Sequence, residues 1–111
     1  DLGRIDHETT SNIGIISGGK ATNIVPDMVT IKGESRSLCT SKREVQTARI
    51  CRAVYEAAEK HGAQAEITTE LLYNGFHLDQ ESLPVKVALE AARKLGIKPK
   101  LEKTGGGSDA N

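Results

Sequence analysis

Aromatic side chains are nearly absent: the 111 residues hold no Trp, one Phe and two Tyr. Excess charge is absent too, with fifteen Lys+Arg against fifteen Asp+Glu. A chain this poor in rings offers no stacking platform for single-stranded nucleic acid or RNA. Zero net charge, with no Lys/Arg run longer than two, removes the electrostatic footprint of a generic nucleic-acid binder. No nucleic-acid partner is therefore expected. No apolar run approaches the ~18 residues that span a bilayer, and no charged-then-apolar leader opens the chain, so a soluble segment without a membrane partner is expected. Cysteine is scarce as well. Cys39 and Cys51 lie twelve apart with no CxxC and no His at zinc-ligand spacing, and are expected to be free thiols in a reducing, cytoplasmic compartment.

What remains is an aliphatic, 37% hydrophobic chain with clear periodicities. TTSNIGIIS (residues 9–17) is rich in β-branched residues and ends at Gly18-Gly19, and MVTIKGESRS (28–37) alternates apolar and polar positions. Two antiparallel strands of a half-exposed sheet are predicted, with Val29, Ile31 and Gly33 on the inward face. Ser41 and Glu44 form a capping-box pattern before Val45, Ala48, Ile50, Cys51, Val54, Tyr55 and Ala58 at helical spacing, and Gly62 closes that helix. QAEITTELLY (64–73) reads as a strand before an Asn74-Gly75 turn. Ser82, Pro84 and the series Val85, Ala88, Leu89, Ala92, Leu95 read as a second helix ended by Gly96. Residues 98–104 read as a short strand leading into GGGSDAN, a backbone-lined loop opening a further helix. The order is β-β-α-β-α-β, an α+β, ferredoxin-like helix-on-sheet layer with a boundary in the polar, turn-rich stretch 74–81. The chain opens at Asp1 and closes in a glycine loop where no element ends, so a piece of a longer polypeptide is expected.

Chemistry is sparse. His7, His61 and His77 fall in predicted loops or at a helix end among charged residues, and no HxD, HExxH or CxxC occurs, so no metal site is expected. His7 and Glu8, taken as extended, point to opposite faces and form no pair. Gly105, Gly106 and Gly107 lack the lysine of a phosphate loop. Their backbone either approaches a ligand or makes a plain tight turn, and the residues alone leave both readings open. Asn23 at the entry to the second strand and Arg36 at its end are, by residue type alone, ordinary surface groups.

The ordered set Asn12-Ile-Gly-x-Ile-x-Gly-Gly19, Thr22-Asn23-Ile24-Val25-Pro26-Asp27 and Gly33-Glu34-x-Arg36-Ser37, with thirteen residues from Asn to Arg, resembles the lid or dimerisation domain of the zinc-dependent M20 peptidases, in particular the tripeptidase (peptidase T)-like branch. The stretch from Asp79 to Asn111 resembles the return into the catalytic domain. The resemblance implies a partial lid over 1–75 and a return segment over 76–111. It implies a parent that hydrolyses peptide or amide bonds with two zinc ions and a glutamate base, all ligands lying outside this segment. By itself the segment would hold no catalytic residue, metal or cofactor. It would contribute dimer contacts and substrate clamping: Asn23 and Arg36 to the substrate's carboxylate or carbonyl, the glycine loop through backbone donors. Implied partners are the peptide substrate and a second copy, in a homodimer or higher assembly through a sheet edge, the strand at 9–17 being favoured. The family's first lid strand and helix precede Leu2 and are not in this sequence. That strand would lie centrally, between 28–37 and 64–73, so the sheet is expected to pair differently, to borrow an edge from another copy, or to use the strand at 98–104. The contrasting reading is a free-standing ferredoxin-like module with a regulatory or small-molecule site at the glycine loop.

Overall fold

The structure, a computed structural model, describes residues 1–107. Its elements are β1 (Gly3–Arg4), β2 (Thr9–Gly18), β3 (Val29–Ser37), α1 (Thr40–Lys60) and α2 (Leu83–Lys94), and the strands form one sheet in the order β1-β2-β3. Both pairings are antiparallel. The two long strands and both helices match their predicted positions, in the expected α+β arrangement. The further helix expected after the glycine loop falls on Ser108–Asn111, outside the described residues.

The ladder between β2 and β3 runs from Thr9 opposite Ser37 to Gly18 opposite Val29, and slips by one residue between Ile13, opposite Gly33, and Ile15, opposite Lys32. Gly14 is the extra residue of a bulge. Because side chains alternate along a strand, the bulge moves Ile16, rather than Ile15, onto the face that carries Ile13. That face holds Thr9, Ser11, Ile13 and Ile16 from β2, with Val29, Ile31, Gly33, Ser35 and Ser37 from β3. Gly33 is confined by its neighbours: a Cβ there would lie 2.6 Å from the Asn12 carbonyl oxygen and 2.7 Å from Ile13 Cδ1. Only glycine lets the strands close at this point.

Helix α1 lies over the serine-rich end of that face. Gln46 is buried, and Arg43, Thr47, Ile50, Cys51, Val54 and Ala58 on the same stripe are half-buried. The contacts are polar. Gln46 Nε2 donates to the Asp1 carbonyl at 3.0 Å and to Ser11 Oγ at 3.1 Å. Ser35 Oγ and Thr47 Oγ1 are 2.6 Å apart, and Thr9 Oγ1 and Ser37 Oγ are 3.0 Å apart. The three buried residues among those described, Thr9, Ser11 and Gln46, are all polar. No buried side-chain polar atom among the described residues lacks a partner, as burial of such groups requires.

Four expectations are corrected. Residues 64–73 form no ladder. An alternating segment becomes a strand only beside a neighbour's N–H and C=O groups, and the strand that the resemblance places between it and β3 is not in this sequence. Residues 98–104 form none either; Pro99, second in that segment, removes a ladder donor near its start. The Ser41–Glu44 capping box does not form, because α1 starts at Thr40 with Cys39 as N-cap and no side-chain cap bond. Finally, Val29 and Ile31 share the face of Ser35 as predicted but remain about half exposed, 51% and 50%. Among the described residues no hydrophobic residue is fully buried. The Cα radius of gyration is 20.3 Å, against roughly 13 Å for a compact chain of this length, and Leu83 and Val87 of α2, with Leu95 at its C-cap, are open to solvent.

Candidate functional site

Arg36 lies opposite Thr10 in the ladder, on the sheet face away from α1. Its strand neighbour two residues back, Glu34, points the same way by alternation. The two side chains meet through a fork: Arg36 Nε to Glu34 Oε1 at 2.9 Å, and Nη2 donating to Oε2 at 2.9 Å. Glu34 therefore takes the side edge of the guanidinium. Among the described residues nothing takes the Nη1 end. The hydrogen bond to Glu34, then its charge, raise the Arg36 pKa above its ordinary value, and Tyr73 adds in the same direction.

The tyrosine has a neighbour distant in sequence. Gly107 also lies against Tyr73: a Cβ on Gly107 would be 2.5 Å from the phenol oxygen and 3.1 Å from Cζ. The end of the 64–73 segment and the glycine loop thus meet. Of the predicted site residues, Gly107 is brought to this phenol. Gly106 N–H is occupied by Thr104 Oγ1 at 3.1 Å, and no neighbour approaches the Cβ position of Gly105. Asn23 is elsewhere. It lies in the turn between β2 and β3, beyond Val29, and the seven residue steps from Val29 to Arg36 span roughly 23 Å of strand. One copy of the chain does not bring Asn23 and Arg36 to a common point.

Two shallow depressions exist apart from these residues. One lies between the β1–β2 turn and α1, lined in part by Asp6, Lys42, Gln46 and Arg49, and the other at the hairpin tip, lined in part by Lys20 and Asp27. In the first, Lys42 Nζ bridges Asp6 Oδ2 at 3.0 Å and Glu8 Oε1 at 2.6 Å. Asp6 Oδ1 accepts from the Glu8 and Thr9 amides at 2.9 and 2.8 Å, so the charges are spent on pinning the turn to the helix. His7 Nε2 approaches Glu8 Oε2 at 3.8 Å, contrary to the opposite-face expectation, because residues 6–8 bend instead of extending. The imidazole remains 81% exposed. Cys39 and Cys51 are free, and the Ser41 hydroxyl, then the Lys42 amide, draw the Cys39 thiol pKa down. Among the described residues no three His, Cys, Asp or Glu side chains are grouped to hold a metal ion, and no helix is long and apolar enough to cross a membrane.

Sequence reasoning missed Glu34 and Tyr73. The i, i+2 spacing of Glu34 and Arg36 on a predicted strand was a usable signal for the first. No local pattern signals that residue 107 returns to residue 73.

Comparison with known proteins agrees with this architecture. The profile of the peptidase dimerisation domain, M20_dimer, matches residues 1–66. The chain is 47% identical over 110 residues to the uncharacterized protein YqjE of Bacillus subtilis (strain 168), covering 99% of this chain and 30% of that one. Among solved structures it resembles aminopeptidase PepT from Bacillus cereus ATCC 10987, with TM-score 0.82, 46% identity, and coverage of 100% of this chain and 30% of that one. It also resembles a tripeptidase (SAV1512) from Staphylococcus aureus subsp. aureus Mu50, with TM-score 0.86, 40% identity, and coverage of 97% and 29%. The chain thus spans about 30% of the length of these proteins, and the likeness does not favour a free-standing module. With the profile matching 66 of 111 residues, the chain belongs to the M20 peptidase dimerisation domain family.

Proposed function

We propose that this chain is the substrate-clamping and self-associating portion of a metal-dependent peptidase, with Arg36 as the group that grips the substrate's terminal carboxylate. The supporting observation is the Arg36 fork: its side edge is occupied by Glu34 while nothing among the described residues takes the Nη1 end. A guanidinium held in plane by one carboxylate and open at its end matches a second carboxylate bidentately. Gly105 and Gly107 would offer backbone donors nearby, whereas the Gly106 amide would first have to leave Thr104. Asn23 serves a separate point of contact from the hairpin tip.

The described residues do not fit the two zinc ions implied for the parent, since no ligand group is assembled among them. In this reading the metals and the general base belong to the rest of the polypeptide, in a cytoplasmic enzyme. The division between a lid over 1–75 and a return segment over 76–111 is supported by α2, which packs on no strand or helix among the described elements. Self-association would use a sheet edge. The strand at 9–17 is not simply an outer strand, because β1 covers its first residues, with Gly3 opposite Ser11 and Arg4 opposite Thr10. The open part of that edge runs from Asn12 to Gly18.

The test uses the full-length enzyme and two substrates, a tripeptide with a free terminal carboxylate and the same tripeptide as its amide. Wild type should prefer the acid. Arg36→Ala should lose that preference, and Arg36→Lys, which keeps the charge without the fork, should lower kcat/KM on the acid ten- to a hundredfold. Equal discrimination by wild type and Arg36→Ala would return Arg36 to an ordinary surface residue.

A further inference from the structure

We propose that Arg4 is a second substrate-binding residue, supplying the unneutralised positive charge for the carboxylate that the open end of Arg36 takes. This rests on the clamp reading of Arg36 and adds to it a residue fixed by the ladder. Thr10 is paired on both sides, with Arg4 of β1 and with Arg36 of β3. Directly opposed residues of antiparallel strands face the same way, so Arg4, Thr10 and Arg36 form one row across the sheet face away from α1. With neighbouring strands about 4.8 Å apart, the two arginine Cα atoms lie about 10 Å from each other, with Thr10 between them. The strand that the family resemblance adds to this sheet lies beyond β3, on the side away from β1, and does not come between the two arginines.

The row carries one charge that nothing cancels. Glu34 answers Arg36. The two carboxylates of the β1–β2 turn, Asp6 and Glu8, go to Lys42 at 3.0 and 2.6 Å, and among the described residues no carboxylate pairs with Arg4. Arg4 is exposed, and its Nη1 donates to the Asp6 and His7 carbonyl oxygens at 3.4 and 3.3 Å, which leaves Nε and Nη2 without partners among the described residues. The Thr10 hydroxyl makes no hydrogen bond among them either, and since no buried side-chain polar atom lacks a partner, it is open to solvent. Arg36 thus brings planar donors whose charge is already balanced, Arg4 brings a free charge, and Thr10 brings a neutral hydroxyl between them. One carboxylate above Thr10 balances the row, whereas an amide in its place leaves Arg4 unanswered.

The experiment again uses the full-length enzyme with the acid and amide tripeptides. Arg4→Ala should raise KM on the acid about tenfold, leave kcat near wild type, and change KM on the amide little. Arg4→Lys keeps the charge without the guanidinium's bonds to the turn, and should stay within about threefold of wild type on the acid. Because the contribution is that of an exposed charge, the Arg4→Ala defect should shrink at about 1 M salt, where the Debye length is about 3 Å. If Arg36→Ala abolishes acid–amide discrimination while Arg4→Ala behaves as wild type on both substrates, Arg4 is excluded and the Arg36 clamp stands. Equal losses on acid and amide in Arg4→Ala, unrescued by lysine, would make Arg4 a brace of the β1–β2 turn and overturn its binding role. Unchanged discrimination in Arg36→Ala would remove both assignments together.

Discussion

Replacing Glu34 by Gln isolates how much the clamp depends on being aimed in advance. Glu34 holds Arg36 by two bonds of 2.9 Å, and glutamine retains one neutral acceptor while losing the charge and the second prong. Both side chains are about half exposed, 46% for Arg36 and 51% for Glu34, so solvent screening limits the pair to roughly 0.2–1 kcal/mol. Since RT is about 0.59 kcal/mol, that range corresponds to roughly one and a half- to fivefold in binding. Glu34→Gln in the full-length enzyme should therefore raise KM for the acid tripeptide by no more than about fivefold and leave kcat unchanged. Orientation before binding is uniform between ground and transition state. At about 1 M salt the Debye length falls to about 3 Å, and the gap between the variant and wild type should close. Glu34→Asp, one methylene shorter, cannot reach the side edge and should match Glu34→Gln. A lower KM in Glu34→Gln would refute the reasoning, because it would show Glu34 competing with the substrate for the guanidinium. A rise that persists at high salt would also refute it.

Two further outcomes follow from the turn and the edge. The Glu8 amide, then Lys42, hold the Asp6 carboxyl far below the usual carboxylate range. Its folded-state pKa thus lies below the unfolded value of about 3.9, and the stabilisation is present above about pH 4 and fades as pH falls toward the folded value. The urea midpoint of Asp6→Asn should fall below that of wild type at pH 6, with the gap narrowing below pH 4; a constant gap from pH 6 to pH 3 would exclude this linkage. Ile15 is 54% exposed on the open stretch of β2, so Ile15→Lys should weaken self-association at least tenfold by placing a charge on a pairing edge. Sedimentation equilibrium showing an unchanged dimer would shift the interface to another surface.

The elements that were legible in the sequence are those whose signals are local. β2 and β3 announce themselves by β-branching and alternation, and the helices by apolar spacing closed at Gly62 and Gly96, whose φ values are +68° and +72°. The failures come from partners that local pattern does not contain. Residues 64–73 have the alternation of a strand and no neighbour to pair with. Ser41 has the spacing of a cap, yet it lies inside the first turn, where its hydroxyl meets Cys39 Sγ at 3.2 Å. β1 is two residues long, too short to show any period. At the site, Arg36 and Glu34 were within reach of strand periodicity, whereas the meeting of Gly107 with Tyr73 is a long-range contact with no trace in either segment.

The placing of Arg36 and the burial of the serines are one consequence of alternation. In Glu34-Ser35-Arg36-Ser37 the serines turn to α1 and the charged pair turns away. The bonds of Ser35 to Thr47 and of Ser37 to Thr9 therefore fix the reverse side of the strand that carries the clamp. Each such bond contributes only about 0.5–1.5 kcal/mol net, too little to replace an apolar core. Their directionality matters more. Apolar packing tolerates sliding, but a one-residue slip of β3 would carry Glu34 and Arg36 under the helix and expose the serines, stranding two charges among groups that cannot pair with them. A polar seam at this end, with apolar residues such as Val29 and Ile31 toward the other, is thus a chemistry that holds the guanidinium in register where uniform hydrophobic packing would hold it less narrowly.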